Sequence, residues 1–382
     1  MEGHANWRGM QIEKVETFPL FYHLEEPYGD ANGLKAYRSL FLIRLVTHAG
    51  IVGWGECKGW LPQLETQFQQ WVIPFLRGKH VMEEARWLPL LQQESAALAA
   101  GVSMALTEIK ATCAGLSLVD WWGGCRHEQI PVYASFQSYS GRIDWMERSI
   151  ERVESAFDAG FRQFKVKVGG RTFCEDKKHI RALQERLCEA GEVALDANQS
   201  YDVGTALKWN EVFSDQCHWM WFEEPLPIQQ VDGYRLLRQH ALLPIAGGER
   251  LPTTASFLPL LQEGALDIIQ PDLLHLGGVE SFRQSLYLGR HFGTRITPHT
   301  YDGPLSRLYA LCAQSTLPAW SKMQGDGIEP IEWDWMENSL NQLISLMPEG
   351  GQVPIPQGTG IGVEWDEERL TYLRWDGRSF TP

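Results

Sequence analysis

From residue 131 onward, short apolar runs alternate with amphipathic helical stretches, and this rhythm constrains the fold more than any other feature. The runs are VYASF, FKVKV, VALDAN, MWFEEP, LPIAGGE, DIIQPD, TRITPH and EPIEWD. Helical segments are expected between them at about 145–159, 175–189, 204–215, 229–240, 254–263, 279–291 and 304–316. Eight strands in β-α alternation fit a (β/α)8-type barrel or a doubly wound sheet, and the strand count favours the barrel. The runs share a second property, a polar residue at the C-terminal end. Lys165 and Lys167 end the second run, Asp196 and Asn198 the third, Glu223 and Glu224 the fourth, and Glu249 the fifth. Asp272, His299 and Glu332 end the remaining three. From Asp196 through Glu223, Glu249 and Asp272 to His299 the steps are 27, 26, 23 and 27 residues, about one β-α unit each. In a barrel these ends meet on the rim where active sites of this fold lie.

The remainder of the chain reads differently. Residues 1–9 are expected to be an extension, because the patterned sequence begins at Met10. Residues 10–130 read as an α+β domain: alternating strands to residue 56, with a hairpin turn in AGIVGW, then helices from about 63 to 122. The stretch EEPYGDANGLKAY is polar and rich in turn residues, so a loop is expected there. The barrel then takes residues 131–344. The Gly/Pro-rich tail 345–382, ending in a short strand, is expected to return to the first domain.

A formal net charge of −14 argues against nucleic acid and anionic membranes as partners. No apolar run is long enough to span a bilayer, and the N-terminus does not read as a signal peptide. Seven scattered cysteines without CxxC spacing imply free thiols in a reducing compartment, hence a cytoplasmic protein. Cys57 and Trp60 read as core or interface, and His275 and His291 as structural, since neither histidine ends a run.

In a strand, Lys165 and Lys167 share one face, opposite Phe164, Val166 and Val168. Three carboxylates on adjacent strands, Asp196, Glu223 and Glu249, repel one another unless a cation sits among them. A hard divalent ion with oxygen ligands fits, and Mg2+ is the expected cofactor. Only one of Glu223 and Glu224 can point inward. Asp272 is placed to hydrogen-bond His299. Lysines near a bound dication are expected to have lowered pKa values. One candidate base on each side of a metal suits proton abstraction next to a carboxylate.

The chain resembles the enolase superfamily and, within it, the mandelate racemase subgroup. The resemblance covers about residues 10–375 and rests on HAGIVGWGE, ALTEIKATCAGLSLVDWWGG, KVKVG, LDANQSYD, WFEEPL, AGGE, DIIQPDLLHLGGV, PHT and GTGIGVEWD. It implies a modified TIM barrel with an α+β N-terminal capping domain completed by the C-terminal tail. It implies metal ligation by Asp196, Glu223 (the first acid of Glu-Glu-Pro) and Glu249. Lys167 would be the base on one face, Lys165 would neutralise the substrate carboxylate, and His299 with Asp272 would be the acid/base opposite. Asn198 would bind near the α-hydroxyl and Glu332 would hydrogen-bond the carboxylate. ALTEIKAT departs from the subgroup's Ala-Leu-Trp-Asp-like pattern, a difference expected to affect packing. The resemblance further implies a homo-oligomer, a dimer or an octamer.

It also implies specificity from a mobile loop over the site, here about residues 22–38. Tyr28, Lys35 and Arg38 are its candidate substrate-binding residues, alongside Asp30, Asn32 and Tyr37. So polar a lid suits a polyol, with a second carboxylate reaching Lys35 or Arg38. The leading expectation is dehydration of an acid sugar to a 2-keto-3-deoxy acid. Racemisation or epimerisation of a 2-hydroxy acid and cycloisomerisation of a sugar lactone are the alternatives from the same chemistry. A barrel that binds a sugar acid without turnover is the alternative from another class.

Overall fold

The computed structural model describes residues 9–187, 190–214, 218–301, 303–323 and 327–378. Most of the expected extension 1–9 lies outside the described residues, as do Cys188 and Cys217. The other five cysteines are free thiols.

The chain begins with three antiparallel strands, β1 (Ile12–Asp30), β2 (Gly33–Thr47) and β3 (Val52–Cys57). β2 is apolar on both faces because the sheet is covered on both. Phe41, Ile43 and Leu45 pack with Val102, Leu106 and Ile109 of the helix Ala96–Cys113, whereas Leu40 and Leu42 join the main core. A Cβ at Gly55 would lie 1.9 Å from the Gly101 carbonyl oxygen, so β3 sits directly on that helix. A Cβ at Gly53 would likewise lie 2.1 Å from the Ala105 carbonyl oxygen, so the close approach accounts for these two glycines of GIVGWGE, while Gly50 serves the turn with φ +76°.

A second sheet starts with β4 (Gln129–Ser135), after which the chain returns to the first sheet for two residues, β5 (Tyr139–Ser140). The parallel strands β6 (Gln163–Lys167), β7 (Glu192–Asp196), β8 (Trp219–Glu223), β9 (Ile245–Gly247), β10 (Ile268–Ile269), β11 (Arg295–Ile296) and β12 (Ile331–Asp334) follow in β-α alternation. They pair in the order β11-β10-β9-β8-β7-β6-β4-β12, the curled sheet of a (β/α)8-type barrel. Tyr133, Ala194, Trp221, Ala246 and Ile268 pack together inside it.

Among the described residues, no backbone ladder joins β11 to β12. Side chains span this seam instead. Gln314 donates to the carbonyls of Ile296 (3.0 Å) and Glu329 (3.3 Å), and Glu329 accepts from Ile296 N (2.9 Å). Thr300 donates through its N to Glu332 Oε2 (3.1 Å) and through its hydroxyl to the Glu332 carbonyl (2.6 Å). All four side chains, Gln314, Glu329, Thr300 and Glu332, are buried, and the four seam donors, Gln314 Nε2, Ile296 N and the Thr300 N and hydroxyl, are matched, as burial requires.

Two expectations are corrected. The stretch 25–37 is the end of a long hairpin, with β1 and β2 paired as far as Asp30↔Gly33 and turning at 31–32. Its polar composition hides the strands because the tip stands clear of the first domain's core. Its tertiary partner is β5, through Tyr28↔Ser140 and Gly29↔Tyr139. The tail carries its strand early: β13 (Gln352–Pro354) pairs antiparallel with β4 of the barrel. It returns to the first sheet later, where Phe21 N donates to the Leu373 carbonyl and Trp375 N to the Pro19 carbonyl. No helix among the described residues is long and apolar enough to cross a membrane.

Glu108, in the helix Ala96–Cys113, is buried where the two halves meet and accepts from Trp54 N (2.6 Å). Burial pushes its carboxyl up to about 8. Ionising it is therefore harder in the folded state, and stability is lost as pH rises from the ordinary carboxyl value through about 8. Glu108→Gln keeps the shape and the acceptor. Its melting temperature relative to the wild type should rise between pH 5 and pH 9; a gap that stays constant across that range refutes the assignment.

Candidate active site

The alternation of β6 turns Phe164 and Val166 outward into the core and Lys165 and Lys167 inward. The strand register sets their partners, since Lys167 is level with Asp196, Asp196 with Glu223, and Glu223 with Ala246. Lys165 Nζ lies 2.6 Å from Glu223 Oε1, 2.9 Å from Glu332 Oε1 and 3.7 Å from Asp196 Oδ2. Lys167 Nζ pairs with Asp196. Glu223 also accepts from Trp221 Nε1 (3.0 Å) and Gln270 Nε2 (2.6 Å). Glu332 accepts from the Ser135 hydroxyl at 2.6 Å.

His299 stands on the other side of the mouth. Its Nδ1 is 2.8 Å from Asp272 Oδ2, and its Nε2 is 3.2 Å from Glu249 Oε2 and 3.6 Å from Glu332 Oε2. Asp272 is itself held by Leu274 N (2.7 Å). Asn198 takes a left-handed conformation (φ 44°), which asparagine tolerates, and its N donates to Asp196 Oδ1 (2.9 Å). Glu224, also left-handed (φ 38°), turns away from the mouth to Gln199 Nε2 (2.7 Å) and Gly248 N (3.3 Å).

The charges follow from these contacts. Burial works against the His299 cation, but Glu249, Glu332 and Asp272 outweigh it and raise the imidazole to about 10. Burial opposes ionisation of Asp196, yet Lys167 and Lys165 bring it down to about 2. Burial and the Asp196 charge push Glu223 up to about 7, and burial and Glu249 push Glu224 up to about 8. The lysines differ from expectation. Burial lowers Lys167, but the Asp196 carboxylate raises it further, so it stands above its ordinary value. The expected lowering presupposed a dication drawing that carboxylate away.

Asp196, Glu223 and Glu249 each turn to a lysine or to His299, and the described residues show no three-ligand cluster. Their chemistry nevertheless fits Mg2+. They are hard oxygen donors on adjacent strands. With every group counted as ionised, the buried Asp196, Glu223, Glu249, Asp272 and Glu332 against the buried Lys165 and Lys167 and the part-buried His299 leave a formal excess of two negative charges. Asn198 Oδ1 beside them is buried with no hydrogen-bond partner.

These groups open into a cavity of about 500 Å³ roofed by the hairpin tip. Lys167, Asn198, Glu249 and His299 line its floor, and Asp30, Asn32 and Lys35 its roof. A comparable cavity at the opposite end of the barrel has Arg162, Glu192 and His218 on its walls and none of the strand-end groups. Tyr28 and Arg38 do not line the mouth cavity. Arg38 is buried, paired with Asp334 (2.7 Å) and laid over the Tyr301 ring (4.6 Å), while the Tyr28 hydroxyl donates to the Glu337 carbonyl (2.9 Å). Both fasten the hairpin to the barrel. Lys58, Gln137, Arg250, His275 and Tyr301 also line the cavity, and the sequence reading missed them. Gln137 follows β4 by two residues, so the strand-end rule applied to the first run would have found it. His275, read as structural, is on the wall.

Residues 15–123 match the family described as mandelate racemase / muconate lactonizing enzyme, N-terminal domain, and residues 148–369 match the enolase C-terminal domain-like family. The D-galactarolactone cycloisomerase of Agrobacterium fabrum is 28% identical over 380 residues, 96% of this chain and 99% of that protein. The arabinonate dehydratase of Saccharolobus solfataricus is 24% identical over 370 residues, 92% of this chain and 96% of that protein. Among solved structures, a racemase from Streptomyces coelicolor A3(2) with bound magnesium superposes with a TM-score of 0.80 at 22% identity, covering 95% of this chain and 100% of that one.

Removing one partner of a buried ion pair strands the other charge, at a cost of about 3–5 kcal/mol. Arg38→Met should therefore lower unfolding stability by about that amount and expose residues 22–38 to limited proteolysis. Wild-type stability together with wild-type protection would show that the Asp334 pair does not hold the hairpin.

Proposed function

We propose, for a chain that belongs to the enolase superfamily and within it to the mandelate racemase subgroup, that the enzyme removes the proton α to the carboxylate of an acid sugar and expels the β-hydroxyl, yielding a 2-keto-3-deoxy acid. The observation that carries this reading is the opposition of Lys167 and the Asp272-held His299 across one mouth, with Asp196, Glu223 and Glu249 on the strands between them. Those three carboxylates would hold Mg2+, which when bound supplies positive charge for the substrate's carboxylate oxygens.

The chain's own residues do the rest. Lys165, buried between Glu223 and Glu332, keeps a fixed positive charge where the substrate carboxylate arrives. Lys167, a cation while it is paired with Asp196, would take the α-proton on one face as the neutral amine when that carboxylate is instead engaged with the metal. His299, as the imidazolium that Asp272 and Glu332 favour, would give its Nε2 proton to the departing hydroxyl, which leaves as water. The enol left behind takes a proton at C3 and becomes the keto acid. Asp272 holds the imidazole through Nδ1 so that Nε2 faces the cavity. Asn198 Oδ1, buried and unpartnered, would accept from the α-hydroxyl.

Cycloisomerisation of a sugar lactone is the second reading, favoured by the full-length similarity to the D-galactarolactone cycloisomerase. The first step is the same, and the leaving group is then the ring oxygen.

¹H NMR in D₂O with Mg2+ across acid sugars and their lactones separates the readings. A dehydratase loses the α-proton signal and gains a C3 methylene pattern, whereas a cycloisomerase converts only lactones. Lys167→Ala and His299→Asn should each lower turnover by at least about a hundredfold, and wild-type exchange in both variants refutes the two-base assignment. For the metal, millimolar Mg2+ should raise the wild-type melting temperature reversibly to chelation. That rise should disappear in Asp196→Asn; a rise of the same size there removes Asp196 from the ligand set.

A further inference from the structure

We infer that Gln137 is a specificity-determining residue for the far part of the substrate: its carboxamide takes a hydroxyl carried beyond the two reacting carbons, so the enzyme's substrates are polyhydroxy acids with a hydroxyl past the β-carbon. This rests on the proposed α-proton abstraction for the orientation of the substrate, whose reacting carboxylate faces the strand-end groups.

Gln137 is 2% exposed, yet it lines the mouth cavity. Its Oε1 is buried with no hydrogen-bond partner, and among the described residues its Nε2 has none either. Buried amides are ordinarily matched, so the missing partner is one that enters through the cavity. Gln270 and Gln314 also carry an unpartnered oxygen, but their Nε2 groups are bonded to Glu223 and to the seam carbonyls, and neither side chain lines the cavity. The backbone around Gln137 is pinned on both sides. Phe136 N donates to the Lys165 carbonyl (3.0 Å), and the Ser138 hydroxyl accepts from Lys167 N (2.8 Å). The residue is thus held beside the proposed base before any ligand arrives, which lowers the ordering cost of binding.

Its place in the fold says which hydroxyl it meets. β4 ends at Ser135, and β5, which pairs with Tyr28 and Gly29 of the hairpin, begins at Tyr139. Gln137 lies midway between them, at the corner where the floor of the cavity meets its roof. On the floor, the strand order β4-β6-β7 sets Lys167 between Gln137 and Asn198. The α-hydroxyl belongs to Asn198 and the departing β-hydroxyl to His299, so the group that reaches Gln137 comes from the next carbons of the chain. A hydroxyl can donate to Oε1 and accept from Nε2, whereas a carboxylate would answer Nε2 alone. An aryl or alkyl group there would leave both ends of the amide unmatched.

Gln137→Met keeps the length of the side chain and removes both polar ends. Its melting temperature should equal or exceed that of the wild type, because an unmatched amide is costly to bury; a clear drop would mark the amide as structural and overturn the inference. In D₂O with Mg2+, kcat/KM for α-proton loss is then measured for both proteins on D-gluconate, D-galactonate and the 4-deoxy and 5-deoxy form of each. The wild type should favour one parent acid over one of its deoxy forms at least tenfold, about 1.4 kcal/mol. Gln137→Met should bring that ratio close to one and leave the ratio for the other deoxy form unchanged, a pattern that a general loosening of the site does not give. Wild-type ratios near one at both positions, or ratios that Gln137→Met leaves unmoved or lowers together, overturn the inference while leaving α-proton abstraction standing. If no acid exchanges its α-proton, that reading falls on its own, and calorimetry with the same acids and Mg2+ tests Gln137 without turnover. One parent binding at least tenfold tighter than its deoxy form, with the difference lost in Gln137→Met, supports the assignment. Identical isotherms for the two proteins, absence of binding included, overturn it.

Discussion

The structure depends on keeping five buried carboxylates paired with the buried Lys165 and Lys167 and the part-buried His299 in one mouth. Taking an ion out of water costs several kcal/mol even after relaxation, and an ion pair offsets this only when its remaining lone pairs are also satisfied. The contacts meet that requirement one by one. Glu223 has Lys165, Trp221 and Gln270; Glu332 has Lys165, Ser135 and Thr300; Asp272 has His299 and Leu274 N. The two excess negative charges are the unmet part of this balance. They sit on the strands where oxygen donors are most crowded, which is where a divalent cation is most useful.

That requirement reaches well beyond the mouth. Trp221 fills the barrel interior against Tyr133, with ring centroids 5.2 Å apart, and hands its indole N–H to Glu223. The packed core and the reactive rim are thus joined through one side chain. At the opposite side, where no ladder joins β11 to β12 among the described residues, Glu332 and Thr300 both complete the rim and tie the last strand to its neighbour. The hairpin closes the mouth from above. It is held by the Arg38–Asp334 pair, the Tyr28 hydroxyl and the two-residue ladder with β5, so the roof depends on contacts with the barrel.

Much of this was legible in the chain because parallel barrels impose a simple rule. Every strand delivers its C-terminal end to the same rim, so a polar residue recurring once per β-α unit marks the site without any knowledge of contacts. Lys165, Lys167, Asp196, Glu223, Glu249, Asp272, His299 and Glu332 were all found that way, and the structure brings them to one mouth. The hairpin was not legible. Its tip has no alternation to read, because its strands are held by backbone pairing and by a partner more than 100 residues away in β5. Arg38 and Tyr28 looked like substrate contacts for the same reason. A charged side chain in a polar stretch gives no sign that an aspartate 296 residues further on is waiting for it. Lys58 and His275 were passed over because neither ends a strand of the barrel.

The sequence by itself determined the barrel, its strand order along the chain and the identity of the groups on its rim, because those follow from periodicity and from residue type at strand ends. Only the tertiary structure decided which charges face each other, which way Glu223 and Glu224 turn, and which hairpin residues roof the cavity instead of bracing it. Those outcomes depend on distances between elements remote in the chain, and on the cost of leaving a buried charge without a partner, neither of which is written in any local pattern.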